Sequence, residues 1–332
     1  MRRDSIEVLP DGMSVVVPCY NSVATLETLV DELFDVLSQS TDPFEIILVN
    51  DASNDGTWQS IAALARRHAQ VRGVNLSRNY GQHNATLCGA RLSSYALTLT
   101  MDDDLQHPPS EIPKLLEALD ERHDVIYGVP HRRRQSLFRH AASLLTRWAV
   151  TLATGHRSVR ELSAFRLFRT SLRGAFDEYR SPEVLFDALL GWGTTRVKGV
   201  VVRYDLRKVG RSNYGFFQLL NIVMMLWTGY TTTPLRFASL LGFAFVLFGI
   251  AVLVYMFGLY FTTGTIPGFP FLASTIAIFG GVQLFTLGII GEYLARVFNR
   301  SLDRPPYVIQ GITAPTTTAP LSAPRDGKGT EG

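Results

Sequence analysis

The sequence predicts an α/β domain with a mostly parallel sheet, followed by a pair of membrane-spanning helices. Two observations carry this. Over the first part of the chain, short β-branched apolar runs alternate with stretches of helical period. Beyond it, Asp, Glu, Lys and Arg vanish completely from Phe237 to Gly291. The 332 residues allow one large domain or two modest ones, and the 46% hydrophobic content with mean hydropathy +0.12 is high for a soluble protein. The excess is confined to the second region.

The runs 13–18 (MSVVVP), 44–50 (FEIILVN), 71–76 (VRGVNL), 95–101 (YALTLTM) and 124–129 (DVIYGV) read as buried strands. Between them, 22–39, 57–69, 81–93 and 110–121 read as helices. The first three connections are long enough for crossover helices, so a mostly parallel sheet follows. Ligands of such sheets sit beyond the carboxyl ends of the strands. That is where Tyr20-Asn21, Asp51, Arg78-Asn79 and Asp102-Asp103-Asp104 fall.

Two later segments, 136–155 and 213–234, are amphipathic and follow Arg-rich runs at 131–139 and 203–211. Helices of this kind lie in the headgroup plane. The charge-free stretch accommodates two spans, 235–261 and 271–295, since each needs about 20 residues. Arg236 precedes the first span, and Arg296, Arg300 and Arg304 follow the second. The positive-inside rule then puts both chain ends in the cytoplasm. The expected organisation is a cytoplasmic catalytic domain (1–210), a juxtamembrane helix (211–234), a transmembrane hairpin (235–298) and a cytoplasmic tail (299–332), disordered from about 312, where Thr, Ala, Pro and Gly dominate. The N-terminus lacks the apolar run of a signal peptide, and Cys19 and Cys88 read as reduced core thiols. The inner (cytoplasmic) membrane is the expected location. The net charge of +3 gives no indication of nucleic-acid binding.

The strongest chemical signal is MDDDLQHPP (101–109). Three adjacent carboxylates at a strand end repel one another unless a cation balances them. Asp102 and Asp104 are two apart and can face one site, as hard divalent ions such as Mg2+ or Mn2+ require. Asp103 would then point elsewhere. The plainer reading is a solvated acidic turn capping the helix after Pro108-Pro109. Asp51, in VNDASNDGT, can accept hydrogen bonds from a ribose or base, although Asp55 or Thr57 there could simply cap a helix. VVPCYN (16–21) contributes Pro18, Tyr20 and Asn21 at another strand end, and Arg78 in NLSRNYGQHNA suits a phosphate by its fork geometry.

VVPCYN, VNDASNDGT, SRNYGQ and MDDDLQHPP, in that order, resemble the family-2 glycosyltransferases of the GT-A fold. LSAFRLFR (162–169), LRKVGRSNYG (206–215), TTTPLRFASLLG (231–242) and GIIGEYLARVFNRSLDRPPYVI (288–309) extend the likeness to the polyprenyl-phosphate branch, which includes bactoprenol glucosyltransferases, undecaprenyl-phosphate aminoarabinose transferase and dolichol-phosphate mannose synthase. The resemblance covers roughly 12–310. It implies a nucleotide-sugar donor, with UDP favoured, and an acceptor polyprenyl phosphate, with undecaprenyl phosphate favoured. It further implies a Mg2+ or Mn2+ cofactor, contact with membrane lipids and possible assembly into a homotetramer.

Position by position, the resemblance makes Asp51 the nucleotide-binding aspartate. Asp102 and Asp104 become the DxD pair, with Gln106 a further metal ligand. Pro18, Tyr20, Asn21, Arg78 and Asp103 join the nucleotide-sugar site. Arg207, Ser212 and Tyr214 would meet phosphate, with Arg132, Arg134 and Arg166 as further lipid-phosphate contacts. Asp104, Glu161 and Arg207 count as catalytic. Glu161 stands where relatives commonly carry an aspartate proposed as base, but its side chain is one methylene longer. Ser22 replaces the Glu of the VVPxYNE pattern.

The implied reaction is a single inverting displacement at the sugar C1 by the lipid phosphate, itself already an anion. Three rivals stand beside it. A processive polysaccharide synthase would carry Q-x-x-R-W, whereas Leu144 holds the Gln position before Arg147-Trp148. A non-catalytic membrane-anchored nucleotide-binding protein would not need the intact acidic triplet. A transferase onto protein or another lipid would be separated by acceptor competition.

Overall fold

The computed structural model describes residues 9–41, 43–130, 163–205, 233–263 and 268–313. The first strands and helices are β1 (Leu9–Cys19), α1 (Leu26–Ser40), β2 (Phe44–Asn50), α2 (Thr57–Arg67), β3 (Val71–Leu76), α3 (Gln82–Leu92) and β4 (Tyr95–Thr100). After them come a 3-10 turn at Pro109–Glu111, α4 (Ile112–Ala118), β5 (Val125–Pro130), β6 (Arg166–Arg169), α5 (Phe186–Gly193) and β7 (Val197–Val202). Two long helices, α6 (Thr233–Thr263) and α7 (Phe269–Ser301), precede the final strand β8 (Ile309–Ile312).

All eight strands form one sheet in the order β7-β5-β6-β4-β1-β2-β3-β8. The β1–β2, β1–β4, β2–β3 and β5–β7 pairs are parallel, whereas β6 runs antiparallel to both β4 and β5 and β8 antiparallel to β3. The alternation of side chains along a strand explains the continuous apolar runs. Val15, Val17, Ile46 and Leu48 face one layer with α1, α2 and α4, while Val16, Ile47 and Val49 face the other with α3 and α5. Both faces of the central strands are buried. The carboxyl ends of β1, β2 and β4 therefore open side by side at one edge.

The strands expected from the sequence correspond to β1–β5 and the expected helices to α1–α4, with the fourth shortened to seven residues after its 3-10 turn. Three strands lie outside that expectation. β6 is four residues long with Arg at both ends, β7 is an edge strand with exposed Lys198 and Gly199, and β8 is the four-residue sequence IQGI, interrupted by Gln and Gly. None offers the apolar run that marks a central strand. Within the segment expected as the tail, α7 continues to Ser301 and Ile309–Ile312 pairs with β3 in the sheet. Cys19 and Cys88 are buried and unbridged.

Both expected spans lie inside long helices. Among the described residues, one helix carries a stretch long and apolar enough to cross a membrane: Ile278–Ala295 of α7, with mean hydropathy 1.4 and none of it buried. The apolar stretch of α6, Ala238–Val252, is shorter. The two helices touch through Phe245 and Phe279, whose rings meet edge-on at 5.9 Å.

Candidate active site

A cleft of about 400 Å³ opens at the carboxyl ends of β1, β2 and β4, lined by Pro18, Tyr20, Asp51, Asn79, Gly81, Gln82, the three aspartates 102–104 and Gln106. Three non-glycine residues around it hold left-handed backbone: Asn21 after β1 (φ 55°), Ala52 after β2 (φ 54°) and Leu105 after β4 (φ 59°). Such residues each cost about 1–2 kcal/mol and collect where a chain must turn sharply to present its polar groups. At Leu105 the reversal lets the Gln106 amide donate to Asp104 Oδ1 at 3.1 Å.

The acidic triplet divides in two. Asp103 is held against the end of β1, where its Oδ2 accepts the Tyr20 amide (3.2 Å) and the Ser22 hydroxyl. Burial raises its carboxyl above the ordinary range, and those two hydrogen bonds oppose the rise. Ser22, the residue that departs from the family pattern, thus serves as a short hydroxyl donor to Asp103. Asp102 Oδ1 accepts from the side-chain amide of Gln82. Gln82 lies in the SRNYGQ motif, but its side chain is not among the expected site residues. Its position one residue after Gly81, at the first turn of α3, is the available signal.

Asp51 is 3% exposed. Its Oδ1 accepts the Tyr80 amide at 2.7 Å and its Oδ2 the Gly81 amide at 2.8 Å, so the carboxylate ties β2 to the loop after β3. Burial pushes its carboxyl up, and the two amides oppose that. An ionised carboxylate offers about four lone-pair sites, so acceptor capacity remains on the cleft side. Asn21 holds the loop after β2: its amide donates to Ser53 Oγ (3.0 Å) and its Oδ1 accepts the Asn54 amide (3.0 Å). Arg78 is exposed with its guanidinium 4.7 Å from the centre of the Tyr80 ring, and its neighbour Asn79 lines the cleft.

The chain leaving β7 braces Gln106. The Tyr204 hydroxyl donates to Gln106 Oε1 (2.6 Å), and the Asp205 amide donates to the Gln106 carbonyl (2.8 Å). His107 is buried, stacked 5.2 Å from Phe165, with Tyr204 edge-on at 4.9 Å. Its Nδ1 has no hydrogen-bond partner among the described residues, and burial lowers its basicity. Neither Tyr204 nor His107 is marked as a site residue by the sequence. Tyr204 has no motif of its own, and only the sheet brings it to the acidic loop.

A divalent cation fits this chemistry. Asp102 and Asp104 line one cleft with Gln106, while one oxygen of Asp103 is held by Tyr20 and Ser22. Among the described residues no group of three or more His, Cys, Asp or Glu is arranged to hold a metal. Two carboxylates are the complement that Mg2+ takes when phosphates and water complete its shell.

Arg166 corrects an expectation. The resemblance assigns it to lipid phosphate, but it is 2% exposed, inside the sheet. Its Nε donates to Thr100 Oγ1 (2.9 Å), its Nη1 pairs with Asp187, and its guanidinium lies over the Phe186 ring. A guanidinium so committed stabilises the core rather than meeting a headgroup. Glu161, Arg207, Arg132, Arg134, Ser212 and Tyr214 lie outside the described residues, as do segment 136–155 and most of 213–234.

Residues 14–178 match the profile of glycosyl transferase family 2. The chain is 34% identical to undecaprenyl-phosphate 4-deoxy-4-formamido-L-arabinose transferase of Yersinia enterocolitica, over 92% of this chain and 95% of that protein. It is 33% identical to the enzyme of the same name from Edwardsiella ictaluri, over 90% and 94%. Among solved structures, glucosyl-3-phosphoglycerate synthase from Mycobacterium tuberculosis, in complex with Mn2+, uridine-diphosphate and phosphoglyceric acid, aligns with 66% of this chain and 76% of its own at 18% identity and TM-score 0.48. By identity sustained along nearly its whole length, the chain belongs to glycosyl transferase family 2, in the branch that holds the undecaprenyl-phosphate sugar transferases.

Proposed function

We propose that this protein transfers a sugar, with inversion, from a nucleotide-sugar to a polyprenyl phosphate, with a UDP-sugar and undecaprenyl phosphate the favoured pair. The observation that carries the reading is the acidic triplet at the cleft, Asp102 and Asp104 beside an Asp103 whose Oδ2 is held by the Tyr20 amide and the Ser22 hydroxyl, in a chain whose relatives carry that activity in their names. In the reaction an oxygen of the lipid phosphate forms a bond to the sugar C1 as the bond from C1 to the nucleoside diphosphate breaks. Negative charge grows on the leaving diphosphate. A Mg2+ or Mn2+ ion bound by Asp102 and Asp104, with Gln106 beside them, would supply a Lewis acid and template for that charge.

The remaining roles belong to the chain itself. Asp51 fixes the Tyr80–Gly81 loop and offers its remaining lone pairs to the ribose or base. Pro18, Tyr20 and Asn79 shape the same side of the cleft. The acceptor is already an anion, so a strong base is unnecessary, and Glu161 is assigned to orientation. Arg207, Ser212 and Tyr214, with Arg132 and Arg134, are assigned to the lipid phosphate on their motif and their place next to amphipathic segments; basic groups there also attract anionic headgroups. Helices α6 and α7 are read as a two-span hairpin in the inner membrane with both ends cytoplasmic, which keeps the cleft near the plane where the acceptor phosphate lies.

The test is a panel of labelled nucleotide-sugars incubated with undecaprenyl phosphate and the purified protein, followed by organic extraction. One donor should carry label into the organic phase, and a chelator or Asp104→Ala should reduce that by about a hundredfold or more. Near-normal transfer by a folded Asp104→Ala protein refutes the site. Label retained in water for every donor refutes the reaction.

A further inference from the structure

The strand that closes the donor side of the sheet comes from beyond the membrane helices. Without β8, β3 would be an edge strand with a row of unpaired backbone groups. Instead Val74, Asn75 and Leu76 pair with Ile312, Gly311 and Ile309. The Ser77 amide donates to the Val308 carbonyl (2.9 Å), immediately before the loop that carries Arg78, Asn79 and Tyr80. Gly73 and Thr313 exchange hydrogen bonds at the other end, Gly73 N to Thr313 Oγ1 at 2.7 Å and Thr313 N to Gly73 O at 2.9 Å. Tyr307 is buried in the cluster that also holds Leu76, Ala85 and Tyr80. Asn84, at the start of α3, donates to the Pro306 carbonyl at 2.6 Å.

A second set of contacts runs across the strand ends. Asn75 Nδ2 donates to Gln310 Oε1 (2.9 Å), and Asn75 Oδ1 accepts from Asn50 Nδ2 (2.7 Å). Asn50 Oδ1 accepts the Ser53 amide (3.3 Å), and Ser53 Oγ accepts the Asn21 amide (3.0 Å). The path Gln310-Asn75-Asn50-Ser53-Asn21 joins β8, β3, β2 and β1 just behind Asp51. It spans two of the left-handed residues at the cleft, since it ends on Asn21 and bridges Ala52 between Asn50 and Ser53. Side-chain amides serve well here, because each presents a donor and an acceptor and can pass the alignment on.

We infer that Pro305–Thr313, the segment that follows the membrane helix, is a positioning element for the nucleoside diphosphate half of the cleft. It clamps the Ser77–Gly81 loop directly and sets the loops after β2 and β1 through the amide path. The inference rests on the proposed placement of the nucleotide beside Asp51. The chain leaving α7 thereby finishes the donor wall, so the donor side is held relative to the anchor. Gln310 is exposed and is an acceptor in this path, so its chemistry can be varied without touching the core.

The experiment uses the full-length protein in detergent or nanodiscs, with Gln310→Leu and Gln310→Glu. A carboxylate at 310 still accepts the Asn75 amide, whereas leucine does not. Hydrogen exchange at the amides of Ser53 and Asn54, which the path holds, is measured without nucleotide, and UDP and GDP are each titrated with Mn2+. Gln310→Leu is expected to speed exchange of those amides and weaken the nucleotide that binds by about threefold to tenfold, the range of one lost hydrogen bond. Donor KM should rise in step, with kcat and acceptor KM held, and Gln310→Glu should stay within about twofold of the parent on every measure. Unchanged protection at Ser53 and Asn54 in Gln310→Leu overturns the amide path, and with it the reach of the segment to the loops after β2 and β1. Faster exchange with unchanged nucleotide affinity overturns the placement of the nucleotide on this wall, and with it the role given to the segment.

Discussion

The ion pair between Arg166 and Asp187 offers a sharp test of how this sheet is held together. Arg166 side-chain exposure is 3% and that of Asp187 is 9%. The guanidinium also holds Thr100 at the end of β4, two residues before Asp102, and the Tyr127 hydroxyl donates to the same Asp187 oxygen at 3.1 Å. Replacing Asp187 by Ala leaves a buried cation and a buried phenol hydroxyl without their acceptor. Breaking a buried pair in this way costs about 3–5 kcal/mol, a factor of roughly 10² to more than 10³ in the folding equilibrium. The exposed pair Arg67–Glu27, at 2.8 Å but with side chains 61% and 66% exposed, provides the contrast, since Glu27→Ala should cost at most about 1 kcal/mol. The double change Arg166→Met with Asp187→Leu removes both charges and should recover most of the loss, because an apolar pair of similar volume replaces a buried ion pair at little cost. Chemical or thermal unfolding followed by tryptophan fluorescence measures all three. If Asp187→Ala proves as mild as Glu27→Ala, or if the double variant is no better than the single, Arg166 is not a buried member of the core, and its assignment to lipid phosphate returns.

Packing and titration give two more expected outcomes. A methyl group added at Gly89 of α3 would lie 2.2 Å from Val16 Cγ1 and 3.2 Å from Val49 Cγ2, so Gly89→Ala should destabilise by about 1–3 kcal/mol despite better helix propensity; an equally stable variant would mean that α3 does not lie on β1. Asp124 is buried, which alone would raise its carboxyl, but the Arg196 fork (2.6 and 2.8 Å) and the Thr194 hydroxyl outweigh this and hold it below the usual range. A depressed carboxyl stabilises fully above its unfolded value of about 3.9 and loses that contribution as pH falls through its folded value. The stability gap between the parent and Asp124→Asn should therefore be constant near neutrality and close only on the acid side of about pH 4, whereas a gap that closes above about pH 5 would contradict the ion pair.

Much of the catalytic domain is legible in the sequence because its central strands are buried on both faces. Val15–Val17 and Ile46–Val49 must be apolar at every position, and such runs declare themselves without any partner in view. The polar residues that interrupt those runs mark the strand ends, so Asp51 and the acidic triplet are found at the cleft they line. Arg166 is misplaced by its motif because an arginine looks the same in sequence whether it faces a phosphate or an aspartate distant along the chain. Asp187 lies on α5, and only the fold brings the two together. Tyr204, Gln82 and Ser22 escape for a similar reason, since each acts through a hydrogen bond to a residue far along the chain or of unremarkable type.

The alternation of strand and helix, the charge-free stretch Phe237–Gly291 and the carboxylates at the tip of β4 are all legible in the sequence, because each is written in local period or local composition. Folding alone reveals that Tyr20 and Ser22 hold Asp103, that Arg166 is an internal counterion, and that IQGI beyond α7 is the outer strand beside β3. The physical reason is common to all three. Hydrophobic burial leaves a periodic signal along the chain, whereas a hydrogen bond or an edge pairing depends on a partner that can lie more than two hundred residues away, as Thr313 does from Gly73.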